Sequence, residues 1–346
     1  MIAGKDKWSP DKLYNKIDIQ KIIEGFTPKN TELIGLSKNE VMLTSLEILA
    51  FIFDQDLIWG DEQSSEMIRG NGLKYIANKI IKENEVGQGC ALQCLCLITR
   101  FKALIPEFLN QNVMPSILRL LHSFDPKIRL YCAEIIKNFS ITQKLLDYVD
   151  KLDLLRNLID SFYSNDNFKL VSLLLDSFIN ISDFPSMRLA LMSTELSDKV
   201  CWLLTRKDEN YKDIRQKSLS LIVTLISDET FERVVKNLKG KIKILVTERD
   251  AKIVFSSLLV LKRILEFDKT QKIVDFELIQ SLIMNLGHIE NNIFNETMEI
   301  LTYLRVLDDD TYIKVMFTMD GIIRLLDIFP SLNDTAKINF CLAVFY

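Results

Sequence analysis

Cys90, Cys94 and Cys96 stand as C-x3-C-x-C within an apolar run, and thiols so grouped can ligate metal or attack an electrophile. On a helix Cys90 and Cys94 share one face a turn apart, while Cys96 points well away. No second Cys or His pair at zinc-site spacing follows, so the pattern predicts core thiols and no metal. The chain has 2 histidines, His122 and His288, which fall about four repeat units apart and so cannot form a base-and-orienter pair. Asp308-Asp309-Asp310-Thr311 resembles part of a calcium loop but lacks its glycine and distal glutamate, and an N-cap explains it better. Neither a phosphate-cradling glycine loop nor a nucleophile elbow nor a dinucleotide fingerprint is present. The triplets beginning at Asn138, Asn180, Asn295 and Asn333 match a glycosylation sequon, yet several fall inside helical patterns. The expectation is a protein with no catalytic residue, no cofactor and no metal, not an enzyme.

The elements that carry these residues recur. Short apolar-paired segments begin at 73, 114, 155, 197, 238, 278 and 321, at intervals of 41, 41, 42, 41, 40 and 43 residues. Across a polar corner each leads to a longer segment with apolar residues at i, i+3, i+4 and i+7, such as KIRLYCAEIIKNFS and KLVSLLLDSFINIS. A further long copy, EVMLTSLEILAFIF, precedes the series, and AKINFCLAVFY closes it. A unit of this size cannot bury its apolar stripe alone. Stacking neighbours at a fixed period solves the problem and gives a solenoid.

Bulk properties agree. Apolar residues make up 48% and charged residues 26% of the chain, with a net charge of −4, which offers no general attraction to nucleic acid or anionic lipid. No run is long and apolar enough for a membrane span, and the charged N-terminus lacks a signal-peptide core. The 6 cysteines lie in apolar helical patterns, as in a reduced, intracellular protein. With 11 glycines and 7 prolines in 346 residues there is no flexible linker, so one stack is expected over residues 37–346, with 1–36 as an N-terminal extension and cap.

The pairing of VMPSILRLL with AEIIKNFS, and the return of the first as DGIIRLLDIF, resembles the armadillo repeat of two short helices and a long third one. IPEFLNQ before 114, LLDYVDK before 155 and RLALMS before 197 supply the short first helix that HEAT-type repeats usually lack. The resemblance implies an all-α, armadillo-type (ARM/HEAT-like) right-handed superhelical solenoid of about seven or eight repeats of about 41 residues. It also implies a non-enzymatic protein-interaction scaffold whose long helices line a groove. Phe108-Leu109, Val113, Pro115, Leu120-Leu121, Leu174-Leu175-Asp176, Asp213-Ile214-Arg215 and Lys217 further resemble the armadillo-repeat proteins of ciliary and flagellar radial spokes. That likeness implies axonemal, cytoskeletal partners; a soluble adaptor or transport receptor for peptide segments is the other reading.

Aligning the long helices puts Phe51, Arg100, Asn138, Asn180, Thr224, Arg263 and Tyr303 in the column that would face a partner. One turn earlier come Glu47, Cys96, Glu134, Asp176, Ser220, Leu259 and Glu299. None is the tryptophan that pairs with asparagine in importin-type grooves, which counts against carriage of nuclear import signals. Four carboxylates interrupted by Arg100 and Arg263 fit a partly basic segment, and a solvated helix face fits equally. A second candidate surface is the basic stretch Arg233, Lys236, Lys239, Lys241 and Lys243, read as one helix over 236–246 that either meets an acidic protein or keeps itself soluble. A third is the apolar end Phe340, Val344, Phe345 and Tyr346, expected to be covered by a partner or a second copy.

Overall fold

The computed structural model describes residues 73–82, 85–100, 105–142, 154–267, 275–286 and 290–307, with isolated positions at 44–48 and 323–338. Among the described residues every regular element is a helix. By internal contacts the chain forms two compact units, Met1–Asn180 and Ile181–Tyr346.

In the first unit α1 (Leu73–Lys82) and α2 (Glu85–Ile98) make a pair, followed by α3 (Ile105–Leu109), α4 (Met114–Leu120) and α5 (Pro126–Phe139), then α6 (Leu154–Ser164) and α7 (Phe168–Ser182). The second unit holds two complete short, short, long triplets. They are α8 (Pro185–Met192), α9 (Leu196–Leu203) and α10 (Lys212–Leu225), then α11 (Phe231–Leu238), α12 (Lys241–Leu245) and α13 (Ala251–Phe267). The pair α14 (Phe276–Asn285) and α15 (Asn291–Leu307) follows. This is the order of helices in an armadillo repeat.

Corner chemistry sets the boundaries. Asp125 caps α5 by accepting from the backbone N–H of Lys127 at 2.8 Å, with Pro126 in the first turn where its missing N–H costs nothing. Asn167 accepts from Leu170 at 3.1 Å, and Asp275 from Leu278 at 2.9 Å. Asp250 caps α13 by accepting from the backbone N–H groups of Lys252 and Ile253. The corner at 207–210 works differently: Glu209–Tyr211 forms a 3-10 turn running straight into α10, with no side-chain cap. Asn112 closes the turn between α3 and α4 at φ 56°, a left-handed conformation that asparagine tolerates.

The expected single helix over 236–246 is broken. Gly240, at φ 81°, ends the run of α11 and opens α12, so the lysines there lie on two helices and their corner.

Packing follows the repeat. The long helices stack side by side, α2 on α5 in the first unit and α10 on α13 on α15 in the second, with α1 laid on α2, α4 on α5, α8 and α9 on α10, α11 and α12 on α13, and α14 on α15. The α2 helix is buried nearly all round from Ala91 to Thr99, and Cys94, Cys96 and Cys132 are in the core with it. Phe108, Phe139, Phe162 and Phe178 are fully buried, and the rings of Phe162 and Phe178 meet edge to face at 5.5 Å. Several buried hydroxyls are satisfied within their own helices, as Ser177 to the Leu173 carbonyl, Ser257 to Ile253 and Thr297 to Ile293, whereas that of Ser218 has no partner among the described residues.

Candidate functional site

The column of long-helix residues is held by bonds that cross from repeat to repeat. Asn138 on α5 donates its amide to the Thr99 hydroxyl after α2 at 3.0 Å. Asn180 on α7 repeats the arrangement, donating to the Ser140 hydroxyl after α5 at 2.9 Å. Tyr303 on α15 donates its hydroxyl to the Leu265 carbonyl of α13 at 3.2 Å. These three spans, of 39, 40 and 38 residues, tie each rung to the end of the preceding long helix. Each asparagine keeps an amide oxygen with no partner among the described residues. The amides are half-buried and fixed in orientation.

The charges of the column are largely answered inside the protein. Arg100 lies 3.7 Å from the Glu134 carboxylate. Lys262, a cation the sequence reading passed over, holds both Glu296, at 3.2 Å, and Glu299. Arg263 pairs with Glu266 and lies 4.6 Å over the Phe267 ring, and the Thr224 hydroxyl is spent on the Leu221 carbonyl. The stripe of four carboxylates is therefore much less acidic than the residue types imply. Glu47 is exposed, Asp176 half-buried, and Phe51 lies outside the described residues.

Beneath this face in the first unit, burial pushes the Cys96 thiol up, and the charge of Glu134, to which that thiol donates, adds to the effect. Burial raises Cys132 also, and raises Cys201 to about 12. Such thiols stay protonated and are poor nucleophiles or ligands. Among the described residues no cluster of His, Cys, Asp or Glu is placed to hold a metal ion.

Three of the five residues in the basic stretch serve the stack. Arg233 donates to the carbonyls of Met192 and Thr194 at 2.9 Å, closing the end of α8, and Lys241 reaches the Cys201 carbonyl at 3.3 Å. Lys243 pairs with Asp275 and, at 2.9 Å, with Glu277. Lys236 and Lys239 remain exposed. His288, Asp308-Asp309-Asp310, Cys341, Phe340, Val344, Phe345 and Tyr346 lie outside the described residues.

Two further ion pairs, absent from the sequence reading, join α10 to the corner before α13. Arg215, only 5% exposed, pairs with Glu248, and Lys212 lies 2.5 Å from Asp250. Both line an open cleft of about 670 Å³. The signal that could have found them is a basic residue at the start of one long helix and an acidic one 33 or 38 positions on.

Helix order and repeat-to-repeat bonding together define an armadillo-type solenoid. Solved structures agree on the fold. An engineered protein superposes with a TM-score of 0.62 at 15% identity, covering 94% of this chain and 88% of its own. A designed armadillo repeat protein in complex with the peptide (KR)4 gives 0.59 at 10% identity, covering 72% and 100%. A computationally designed armadillo repeat protein for modular peptide recognition gives 0.60 at 11%, covering 71% and 99%. No protein-family model matches the sequence. Nor does any curated protein. No described helix is long and apolar enough to cross a membrane.

Proposed function

We propose that this protein is a non-enzymatic interaction scaffold that holds an extended partner segment along the long-helix face of α5 and α7. The observation that carries the reading is the matched pair Glu134/Asn138 and Asp176/Asn180. Each is a carboxylate four residues before a half-buried asparagine, and the two asparagines are anchored alike one repeat apart. An amide fixed by its N–H to the protein presents its oxygen to a backbone N–H of the partner without further ordering cost. Arg100, 3.7 Å from Glu134, offsets part of the acidity of this face. A designed protein of the same fold is in complex with an alternating Lys-Arg peptide, which makes that peptide a suitable probe.

Fluorescence anisotropy of a labelled Lys-Arg octapeptide, against the native protein and against Asp176→Lys with Asn180→Ala, tests the reading. Binding should weaken about tenfold or more, a loss of about 1.4 kcal/mol. Unchanged affinity in a variant that keeps its helical circular dichroism would sink it.

The finer reading places the scaffold in the axoneme as a radial spoke subunit. It is supported by the resemblance at Phe108-Leu109, Val113, Pro115, Leu120-Leu121, Leu174-Leu175-Asp176, Asp213-Ile214-Arg215 and Lys217. Most of these are buried and describe the repeat, while Pro115 and Asp213 are exposed and Asp176 and Lys217 half-buried. Native fractionation discriminates: a spoke subunit sediments with the axonemal cytoskeleton, a soluble peptide adaptor does not. In this reading residues 37–346 form the solenoid, 1–36 its cap, and the apolar stretch 340–346 is covered by a partner or a second copy.

A further inference from the structure

Among the described residues the second short helices of successive repeats share one equivalent position that faces solvent. In chain order these are Asn78, Arg119, Asp160, Trp202, Ile244 and Met284, at intervals of 41, 41, 42, 42 and 40 residues, and all six are exposed. In the first unit the position is polar three times running, as a solvated helix face should be. In the second unit it is large and apolar three times running, with Trp202 44%, Ile244 53% and Met284 54% exposed. Single exposed apolar residues are ordinary, whereas a register-matched row on three adjacent helices is a contiguous patch. Trp202 is also held in place: the Arg206 guanidinium lies 5.1 Å from its ring and 5.1 Å from that of Tyr211. An ordered, half-exposed tryptophan is the kind of anchor that dominates protein interfaces.

The charges beside the row say what kind of partner fits. Asp198 is bonded by Asn237 at 2.6 Å, and Asp275 and Glu277 are taken by Lys243. Arg233 and Lys241 are spent on backbone carbonyls. What is left on the α11–α12 side are two exposed cations, Lys236 and Lys239, with the exposed Glu232 one turn before Lys236 on the same helix. Lys207, Asp208, Glu209 and Arg249 line the cleft that Ile244 also borders.

We infer that the row Trp202, Ile244 and Met284, flanked by Lys236 and Lys239, docks an amphipathic α-helix of another protein that carries Asp or Glu along one border of its apolar face. Packed helices lie about 8–10 Å apart, and seven residues of a helix rise about 10.5 Å, so apolar residues at i, i+7 and i+14 of the partner meet the three side chains in turn. This surface is made of short helices of the second unit and shares no residue with the long-helix face proposed above.

The test uses the full chain and two labelled synthetic helices with leucines at heptad spacing, one bordered by glutamate and one by lysine. The glutamate-bordered helix should bind, with affinity falling about tenfold or more in Ile244→Glu, in Met284→Glu and in the double variant Lys236→Glu/Lys239→Glu, and the lysine-bordered helix should bind about tenfold more weakly. All the replaced residues are exposed, and circular dichroism confirms that each variant is folded. Asp176→Lys should leave this binding unchanged, which separates its failure from that of the peptide-face reading. No binding of the glutamate-bordered helix, equal affinity for both helices, or full binding by folded Ile244→Glu overturns the inference. So does self-association of the native chain that Ile244→Glu abolishes, since the occupant would then be a second copy.

Discussion

Arg215 shows how a single residue can be functional-looking and structural at once. Its guanidinium is buried, pairs with Glu248 across a repeat boundary, and leaves its Nε–H without an acceptor among the described residues. Removing one member of such a pair strands a buried charge, so Glu248→Ala should cost about 3–5 kcal/mol in urea denaturation, while the double replacement Arg215→Met/Glu248→Leu should recover most of the loss. Asp250, its neighbour, reports on pH. Partial burial pushes its carboxyl up, but the hydrogen bond from Lys212 and those from the backbone of Ile253 and Lys252 prevail and hold it below the ordinary 3.8. A carboxyl lowered in the folded state contributes stability that is present above 3.8 and lost as pH falls through its folded value. Thermal melts of Asp250→Asn should therefore lie below those of the native protein at pH 7 and converge with them on the acid side of that range.

At the scale of elements the corners decide where helices begin. Gly240 is the informative case, because a Cβ there would meet no atom within 4 Å and the only obstacle is its φ of 81°. Gly240→Ala should cost about 1–2 kcal/mol from backbone strain alone, and Gly240→Asn should cost less, as chemical denaturation would show. Asp125→Ala, which removes a cap and leaves the apolar face of α5 intact, should cost about 1 kcal/mol by the same measurement. Side-chain bonds about forty residues apart, from Asn138, Asn180, Arg233 and Tyr303, do between elements what caps do within them. They fix each helix against its predecessor, and a partner surface with a regular pitch follows.

For the whole molecule, stability in a repeat stack is a sum of local units and the interfaces between neighbours. Phe162→Ala opens a cavity against Phe178 and should cost about 3–5 kcal/mol locally. Native-state hydrogen exchange should then show protection lost in α6 and α7 and retained in α13 and α15, two and three repeats away. Loss of protection throughout would mean a single cooperative fold instead.

The period of about forty-one residues, the apolar stripes and most corners were readable from the chain alone, because they depend on spacing and on residue types acting within one helix. So was the column containing Asn138 and Asn180, since residues one period apart fall at equivalent places. What each polar side chain spends its bonds on was not readable. Glu134, Glu299, Arg233 and Lys243 look free in the sequence, and only packing brings Arg100, Lys262, the carbonyls of Met192 and Thr194, and Glu277 within reach of them. The exposed row of Trp202, Ile244 and Met284 was hidden for the same reason. An apolar residue in a helical pattern reads as core until the neighbouring helices show which side they cover, and that is settled only by the third dimension.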